Sequence, residues 1–233
     1  MRRVQGLSMV PAVLTACVLL AGCTTEAPAP GTETTSVAPD SAAADLVRAA
    51  AEATKKLASA HVVVAIHGKF DRLGPVTKAD ADVQSSPLTA NGNVTYDTGV
   101  VAPFVLENDR VSVRLMNEWS EVGTVSDFIP SAMIDPGRGL PTLLQNILPT
   151  VQLDGSEKVG DIDTKKVVGS LSADQVSAVV PEAGSPADFT AWIRDGADPV
   201  LVRAILTVDP QRSLDVTLSN WNVPVKLTPA PTS

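Results

Sequence analysis

Few side chains in this sequence have the type and spacing that chemistry needs. Asp80 and Asp82 are two residues apart on a predicted strand, which places both carboxylates on one face about 7 Å apart. Paired carboxylates can hydrolyse glycosidic bonds at such distances, although Lys78 beside them favours a solvated acidic face. His61 and His67 are roughly 20 Å apart along one predicted strand, too far to share a metal. The residues therefore predict no catalytic group, no metal site and no cofactor.

Cys23 is the one residue with a well-defined chemical context. Arg2 and Arg3 precede an apolar run, Leu7–Leu20, which is too short to span a membrane and is typical of a secretory signal. The segment Leu20-Ala21-Gly22-Cys23 resembles the bacterial lipobox, in which a diacylglyceryl group is attached to the cysteine sulfur and the peptide is cut before it. The alternative is an ordinary secretory signal in which the cysteine occurs by chance. The lipobox reading predicts a mature protein that begins at Cys23.

Composition divides the chain into four parts. Residues 1–22 are the predicted lipoprotein signal peptide, and 23–40 are rich in Thr, Ala, Pro and Ser, as in a flexible tether. Residues 41–226 have the length of one domain, and 227–233 are predicted to be a disordered tail. Cys17 leaves with the signal and Cys23 is capped by lipid, so no disulfide can form within the mature chain.

The net charge disfavours two classes of partner, and the aromatic content describes the core. The net charge is −8, which disfavours nucleic acid and electrostatic adhesion to anionic headgroups. Membrane attachment must therefore come from the acyl chains on Cys23, since two chains suffice for stable anchoring. Only 3% of residues are aromatic, so the core and any cavity within it are aliphatic.

Hydrophobic periodicity predicts an α+β fold built on an antiparallel meander. A helix is predicted over Ala42–Ser59 with Ser41 as its N-cap, and an amphipathic helix over Leu140–Leu148. A capping box at Ser172–Gln175 predicts a short helix ending near Pro181. The remaining pattern has period two: strands are predicted over 61–70, 76–84, 88–96, 100–107, 110–116, 151–159, 164–171, 189–194, 200–208 and 213–221, with one or two more between 119 and 129, and with turns at Asn108-Asp109, Gly160-Asp161 and Asp195-Gly196.

Several ordered segments carry a family resemblance from about Asp45 to Val225. The clearest are Leu57–Val62, Pro87–Val94, Asp135–Leu144 and Leu218–Asn222. In order and spacing they resemble the LppX/LprG family of actinobacterial lipoproteins, of which the LppX-like members are nearest. Two departures, at Phe189–Ala191 and in the segment 109–121, leave the cargo open.

The resemblance implies a strongly curved antiparallel sheet, a half-barrel similar to LolA and LolB, with a few helices packed over its concave face. Those helices and the sheet would enclose an apolar cavity for an envelope lipid or glycolipid. The implied activity is carriage across the cell envelope by a monomer, without catalysis and with no nucleic-acid partner. The protein would be exported, anchored to the outer face of the cell membrane and partly present in the cell wall, and a membrane lipid exporter is an implied partner.

Apolar positions on the predicted strands and the covering helix are the candidate cavity residues. They are Val62, Val64, Ile66, Val94, Leu115, Leu143, Leu144, Ile147 and Ile193. Plain core is an equal alternative for each, because cavity and core have the same pattern. If Leu144 lines a cavity, Leu144→Trp would exclude the lipid from a folded protein. A cavity well above about 1,000 Å³ would favour a carrier over a scaffold lipoprotein with a solid core, or over an envelope hydrolase using Asp80 and Asp82.

Overall fold

The computed structural model describes residues 40–128, 136, 139–181 and 183–226. The predicted signal peptide, Cys23, the tether before Asp40 and the tail 227–233 lie outside the described residues. Within them, eleven strands form one antiparallel sheet in the order β6-β5-β4-β3-β2-β1-β11-β10-β9-β8-β7. Two meanders, β1–β6 and β7–β11, therefore join where β1 pairs with β11. The sheet is curved and unclosed, which confirms the predicted α+β half-barrel class.

The strands and helices have the following bounds. The strands are β1 Ser59–His67, β2 Val76–Ser85, β3 Leu88–Tyr96, β4 Val101–Glu107, β5 Arg110–Leu115, β6 Glu118–Thr124, β7 Gln152–Val159, β8 Ile162–Leu171, β9 Ala187–Arg194, β10 Leu201–Asp209 and β11 Arg212–Ser219. The helices are α1 Ser41–Lys55, α2 Val125–Phe128, α3 Gly139–Asn146 and α4 Ala173–Ser177, with a 3₁₀ helix at Asp71–Leu73.

The alternation in β1 defines the two faces of the sheet. Val62, Val64 and Ile66 are buried, whereas His61 and His67 on the other face contact solvent. Because Cα partners in an antiparallel pair share a face, this alternation propagates across the sheet, as from Val64 to Ala79 on β2 and to Val216 on β11. The face that contains Val62, Val64 and Ile66 is called the covered face below, and the other the open face.

Two helices close the covered face over the β7–β11 half. Helix α1 packs against α3 and also contacts β7, β9 and β10. Its buried side chains are small, as at Ala50 and Ala51, so it lies close to its neighbours. The Thr54 hydroxyl accepts a hydrogen bond from the backbone N–H of Leu201 on β10 at 3.0 Å, which satisfies a buried donor.

Most predicted elements are confirmed within a few residues, including the Asn108-Asp109 turn, where φ is 53° and 67°. The capping box is also confirmed: the Ser172 N–H donates to Gln175 Oε1 at 2.8 Å, and the Gln175 N–H donates to Ser172 Oγ at 3.4 Å. The connection that contains Asp195-Gly196 is one residue longer than predicted, because β10 begins at Leu201 rather than at Val200.

The predicted ends of helix α1 are wrong. The Asp40 carboxylate, rather than Ser41, accepts from the Ala42 N–H at 2.9 Å, so the helix includes Ser41. The helix ends at Lys55, four residues earlier than predicted, because Ser59 already belongs to β1. Asp and Ser are similarly good N-caps, so composition could not choose between neighbouring positions.

Gly92 marks a close approach of β2 and β3. A Cβ added there would lie 2.1 Å from the Asp80 carbonyl oxygen and 2.6 Å from Ala81 Cα. Gly92→Ala is therefore expected to lower the free energy of unfolding by about 1–3 kcal/mol, because the backbone of β2 must move. Denaturant unfolding measures this change in the free energy of unfolding. Gly184→Asn is the control, since space there is open and Asn tolerates its φ of 60°; equal losses in both variants would contradict the prediction.

Candidate functional site

An apolar cleft of about 300 Å³ lies over the β1–β6 half of the covered face. The 3₁₀ helix at Asp71–Leu73 and helix α2 contact each other and contribute to its wall, and they are together called the cover below. Side chains from β1 to β6 supply the rest. The aliphatic and aromatic lining residues are Ile66, Leu73, Val76, Ala79, Val94, Tyr96, Phe104, Leu106, Val111, Val113, Val122 and Val125.

The register between neighbouring strands brings the apolar side chains of this lining together. Ala79 pairs with Val94, Phe104 with Val113, and Leu106 with Val111, each across one strand boundary. Each pair places two apolar side chains on the covered face, while the intervening residues point to the open face. Two adjacent hairpins, β2–β3 and β4–β5, thus build a continuous apolar wall.

The chemistry of the wall suits an apolar ligand. Asp71 and Arg72 are the charged residues along the cleft, both are exposed, and both belong to the cover. Each methylene that moves from water into such a site contributes about 0.8 kcal/mol. The lining can therefore hold a hydrocarbon chain, and it presents no arrangement of nucleophile and base.

The cover is held by a capping arrangement around Asp127. The Thr124 backbone N–H and the Thr124 hydroxyl both donate to Asp127 Oδ2, at 2.7 Å and 2.8 Å. These two bonds, with the charge of Arg72 on the 3₁₀ helix, hold the pKa of the Asp127 carboxyl below its usual value. The ionised carboxylate thus connects the start of α2 to the end of β6 and attracts the 3₁₀ helix.

Asp127→Asn is expected to loosen the cover. The pKa of Asp127 is lower in the folded protein than in the unfolded chain. Its carboxylate therefore stabilises the cover fully above about pH 4, and this stabilisation is lost as the pH falls through the lowered pKa. In the wild type, the protection factors of the amides from 124 to 128, which correct for the pH dependence of intrinsic exchange, should fall upon acidification through that range. In Asp127→Asn, exchange there should be faster at pH 7, without that acid-dependent step. An unchanged exchange profile in the variant would contradict this role.

The nine candidate cavity residues separate into three groups. Ile66 and Val94 line the cleft. Leu115 lies on β5 beyond the lining residue Val113, with 46% of its surface exposed. The others lie in the closed hydrophobic core: Val62, Val64, Leu143, Leu144, Ile147 and Ile193.

Sequence reasoning missed most of the lining. The alternation that places Val111 and Val113 on one face of β5 is visible in the sequence. Choosing the right strands required knowledge of where the helices lie, since α1 and α3 fill the other half of the covered face. The segment 119–129, which was predicted to hold one or two short strands, contains β6, and the helix α2 that follows it and supplies Val125 was not predicted.

The carboxylate pair Asp80 and Asp82 lies on the open face around His61. His61 Nδ1 is 2.8 Å from Asp82 Oδ1, and its Nε2 is 3.3 Å from Asp80 Oδ1. Lys78 Nζ contacts Asp80 Oδ2 at 2.8 Å. The carboxylates are thus engaged in a partly exposed polar network on the face opposite to the cleft. Among the described residues, no group of three or more His, Cys, Asp and Glu side chains is arranged to hold a metal ion.

In the described part of the chain, none of the helices has the length and apolarity to cross a bilayer.

Comparisons with known proteins identify similar chains and folds. The LppX_LprAFG lipoprotein family model matches residues 42–227. The chain is 36% identical over 225 residues to "Putative phthiocerol dimycocerosate transporter LppX" of Mycobacterium tuberculosis, covering 94% of this chain and 96% of that protein. It is 32% identical over 230 residues to "Lipoarabinomannan carrier protein LprG" of Mycolicibacterium hassiacum, covering 95% and 96%.

Two solved lipoprotein structures have a similar fold. The crystal structure of M. tuberculosis LppX superimposes with a TM-score of 0.69 at 35% identity, covering 81% of this chain and 100% of that one. The crystal structure of LprF from Mycobacterium bovis gives a TM-score of 0.71 at 27% identity, covering 84% and 100%.

Proposed function

Because this chain belongs to the LppX_LprAFG lipoprotein family, we propose that it is a membrane-anchored, non-enzymatic lipoprotein that binds a long-chain lipid or glycolipid and carries it across the cell envelope. The observation that carries this proposal is the apolar cleft between the sheet and the cover. Relatives that cover nearly the whole chain are named as a transporter and a carrier, which supports the same activity.

Burial of hydrocarbon supplies the affinity in this proposal. Ten buried methylenes contribute about 8 kcal/mol before the entropic cost of binding is subtracted. Such a ligand needs no hydrogen bonds from the wall, which is consistent with the aliphatic lining. Asp71 and Arg72 on the cover are available to a polar headgroup that stays near solvent.

The size of the cleft sets a condition on the mechanism. At about 300 Å³ the cleft is at the lower end of small-molecule sites, and below the volume of about 1,000 Å³ that would by itself favour a carrier. We propose that loading separates the cover from the sheet and extends the cleft. The shortness of the two elements of the cover supports this separation, since α2 has four residues and the 3₁₀ helix has three.

The remaining parts of the proposal concern attachment and partners. Cys23 carries the acyl anchor at the outer face of the cell membrane, and residues 24–39 connect it to the domain. Part of the protein resides in the cell wall. The protein acts as a monomer and receives its cargo from a membrane lipid exporter.

The test is the lipid content of the native protein. The mature lipoprotein, purified from an actinobacterial host in a mild detergent, is measured by native mass spectrometry and by analysis of its organic extract. We expect a mass above that of the acylated protein, together with one class of long-chain lipid in the extract. Acylated protein of apo mass and an extract without additional lipid would overturn the proposal.

One observation favours a second candidate, a scaffold lipoprotein. Six of the candidate cavity residues lie in the closed hydrophobic core, as a solid domain requires. A scaffold predicts that no lipid copurifies and that crosslinking in intact cells recovers a specific envelope protein.

A further inference from the structure

Four exposed aliphatic side chains gather at the tips of two neighbouring hairpins. Val100 and Val101 follow the β3–β4 turn with 51% and 58% of their surfaces exposed, and Leu115 and Met116 begin the β5–β6 turn with 46% and 100% exposed. Both turns lie at the same end of the sheet, because successive strands of an antiparallel meander alternate in direction. These four residues are called the tip surface below.

The tip surface continues the apolar wall of the cleft through Leu115, whereas Val101, which pairs with Thr95, lies on the open face. On β5, Val113 lines the cleft and Leu115 follows on the same face of the strand. On the adjacent hairpin, Tyr96 lines the cleft, and its backbone N–H donates to the Val100 carbonyl at 2.9 Å. Apolar surface therefore extends from the interior of the cleft to fully exposed Met116.

The chain from Cys23 enters the domain at this same end of the sheet. The backbone N–H of Asp40 donates to the Val151 carbonyl at 3.0 Å, immediately before β7 begins. The start of β7 pairs near the end of β8, and register through β9, β10 and β11 leads to the end of β1 at His67. The β3–β4 and β5–β6 turns lie at that end as well. Sixteen residues separate Cys23 from Asp40, a reach of about 25 Å for a flexible chain.

Met116 occupies a backbone position that favours a polar residue. Its φ is 51° and that of Asn117 is 68°, the conformation of a tight hairpin turn. Asn and Gly are preferred there, and the corresponding turn at Asn108-Asp109 has a polar pair. Turn formation therefore does not account for a fully exposed methionine at this position.

Charges beside the tip surface are balanced, although the whole chain is acidic. The exposed residues there are Lys69, Arg72 and Arg114 against Asp71, Asp97 and Glu118. Trp119 and Tyr96, both partly exposed, add aromatic side chains of the kind enriched at membrane interfaces. An anionic bilayer would therefore repel this end less than the acidic remainder of the protein.

We propose that the tip surface is the membrane-contact surface of this protein, where the hairpin tips insert into a lipid bilayer and cargo passes along Val113 and Leu115 between bilayer and cleft. The route of the cargo rests on the proposed carrier function, whereas the contact itself rests on the exposed aliphatic residues and on the entry of the chain at Asp40. A protein partner would instead require a surface complementary to these tips, and the tests below distinguish it.

The contact is tested with the mature, lipidated protein in phosphatidylcholine vesicles. Met116→Cys and, as a control, Asp161→Cys at the exposed turn of the opposite end each receive a fluorophore that is quenched by spin-labelled acyl chains. We expect quenching at position 116 and none at 161. Equal quenching at both positions overturns the proposal. Quenching at 116 that occurs only with envelope membranes and is abolished by protease treatment of those membranes also overturns it, in favour of a protein partner.

A double variant tests the consequence for transfer. Val100→Thr combined with Met116→Asn should reduce vesicle-to-vesicle lipid transfer by about ten-fold or more, since burying one such side chain shifts a partition equilibrium by about one decade. Bound lipid and thermal stability should not fall, because Asn favours the left-handed turn position. Unchanged transfer would overturn the transfer route. If the wild type binds no lipid at all, the carrier function fails, while the quenching contrast still decides the membrane contact.

Discussion

Val94→Trp is expected to abolish lipid binding while leaving the domain folded. Val94 lies in the wall of the cleft and is only partly buried, so an indole there can extend into the open volume of about 300 Å³. The substitution therefore removes the space for a hydrocarbon chain without inserting bulk into packed core. Native mass spectrometry should give an occupancy at least about ten-fold below that of the wild type, since displacing two to three buried methylenes already removes that factor.

Leu153→Trp is the matched control for this variant. Leu153 lies on β7 with 44% of its surface exposed, in the half of the sheet remote from the cleft. Tryptophan there should leave both lipid occupancy and thermal stability unchanged. Equal occupancy in Val94→Trp and wild type, with both proteins folded, would show that the cleft is not the lipid site.

Leu144→Trp would not test the lipid site, because Leu144 does not border the cleft. Leu144 belongs to helix α3, has no exposed surface and packs into the core. Tryptophan at this position must displace packed neighbours, at a cost of about 1–3 kcal/mol, so lost lipid binding could follow from a distorted fold. Val94 avoids this ambiguity because it borders open volume.

Cys23→Ser is expected to release the protein from the membrane fraction. The thiol is the only site at which the predicted signal allows acylation, and two acyl chains on it account for stable anchoring. Cell fractionation with immunodetection measures the distribution, and intact mass spectrometry measures the loss of the acyl mass.

Cys17→Ser is the control for this second experiment. Cys17 belongs to the predicted signal peptide, so its replacement should change neither the mature mass nor the location. A Cys23→Ser protein that keeps the wild-type mass and remains membrane-bound would contradict the lipobox interpretation. The tip surface alone should not retain the protein firmly, since even a full myristoyl chain binds membranes only marginally.

Local patterns were sufficient for the elements of this fold. Alternation in Val62–Ile66 and Leu88–Tyr96 predicted strands at the observed positions, because a half-buried strand requires period two. The spacing of Leu140, Leu143, Leu144 and Ile147 predicted helix α3 for the corresponding reason. Capping was predictable only in part: the box at Ser172 was recognised, whereas Asp40 was not.

The location of the site was not predictable in the same way. Val94 and Leu144 are both aliphatic residues in correctly predicted elements, yet one borders the cleft and the other lies in closed core. The difference depends on which half of the sheet α1 and α3 cover, and those contacts join residues that are far apart in sequence. Periodicity reports which side of an element faces inward, and it carries no information about what packs on that side.

The sequence by itself therefore determined the strands and main helices, the absence of a recognisable catalytic constellation, the family resemblance and the prediction of lipid attachment at Cys23. Only the tertiary structure decided where the covered face stays open, and that the tip surface and the entry of the chain at Asp40 share one end of the sheet. The physical reason is that backbone geometry and alternation are local properties of the chain. A cleft is instead the volume left when distant elements pack, and it exists only after the whole sheet has assembled.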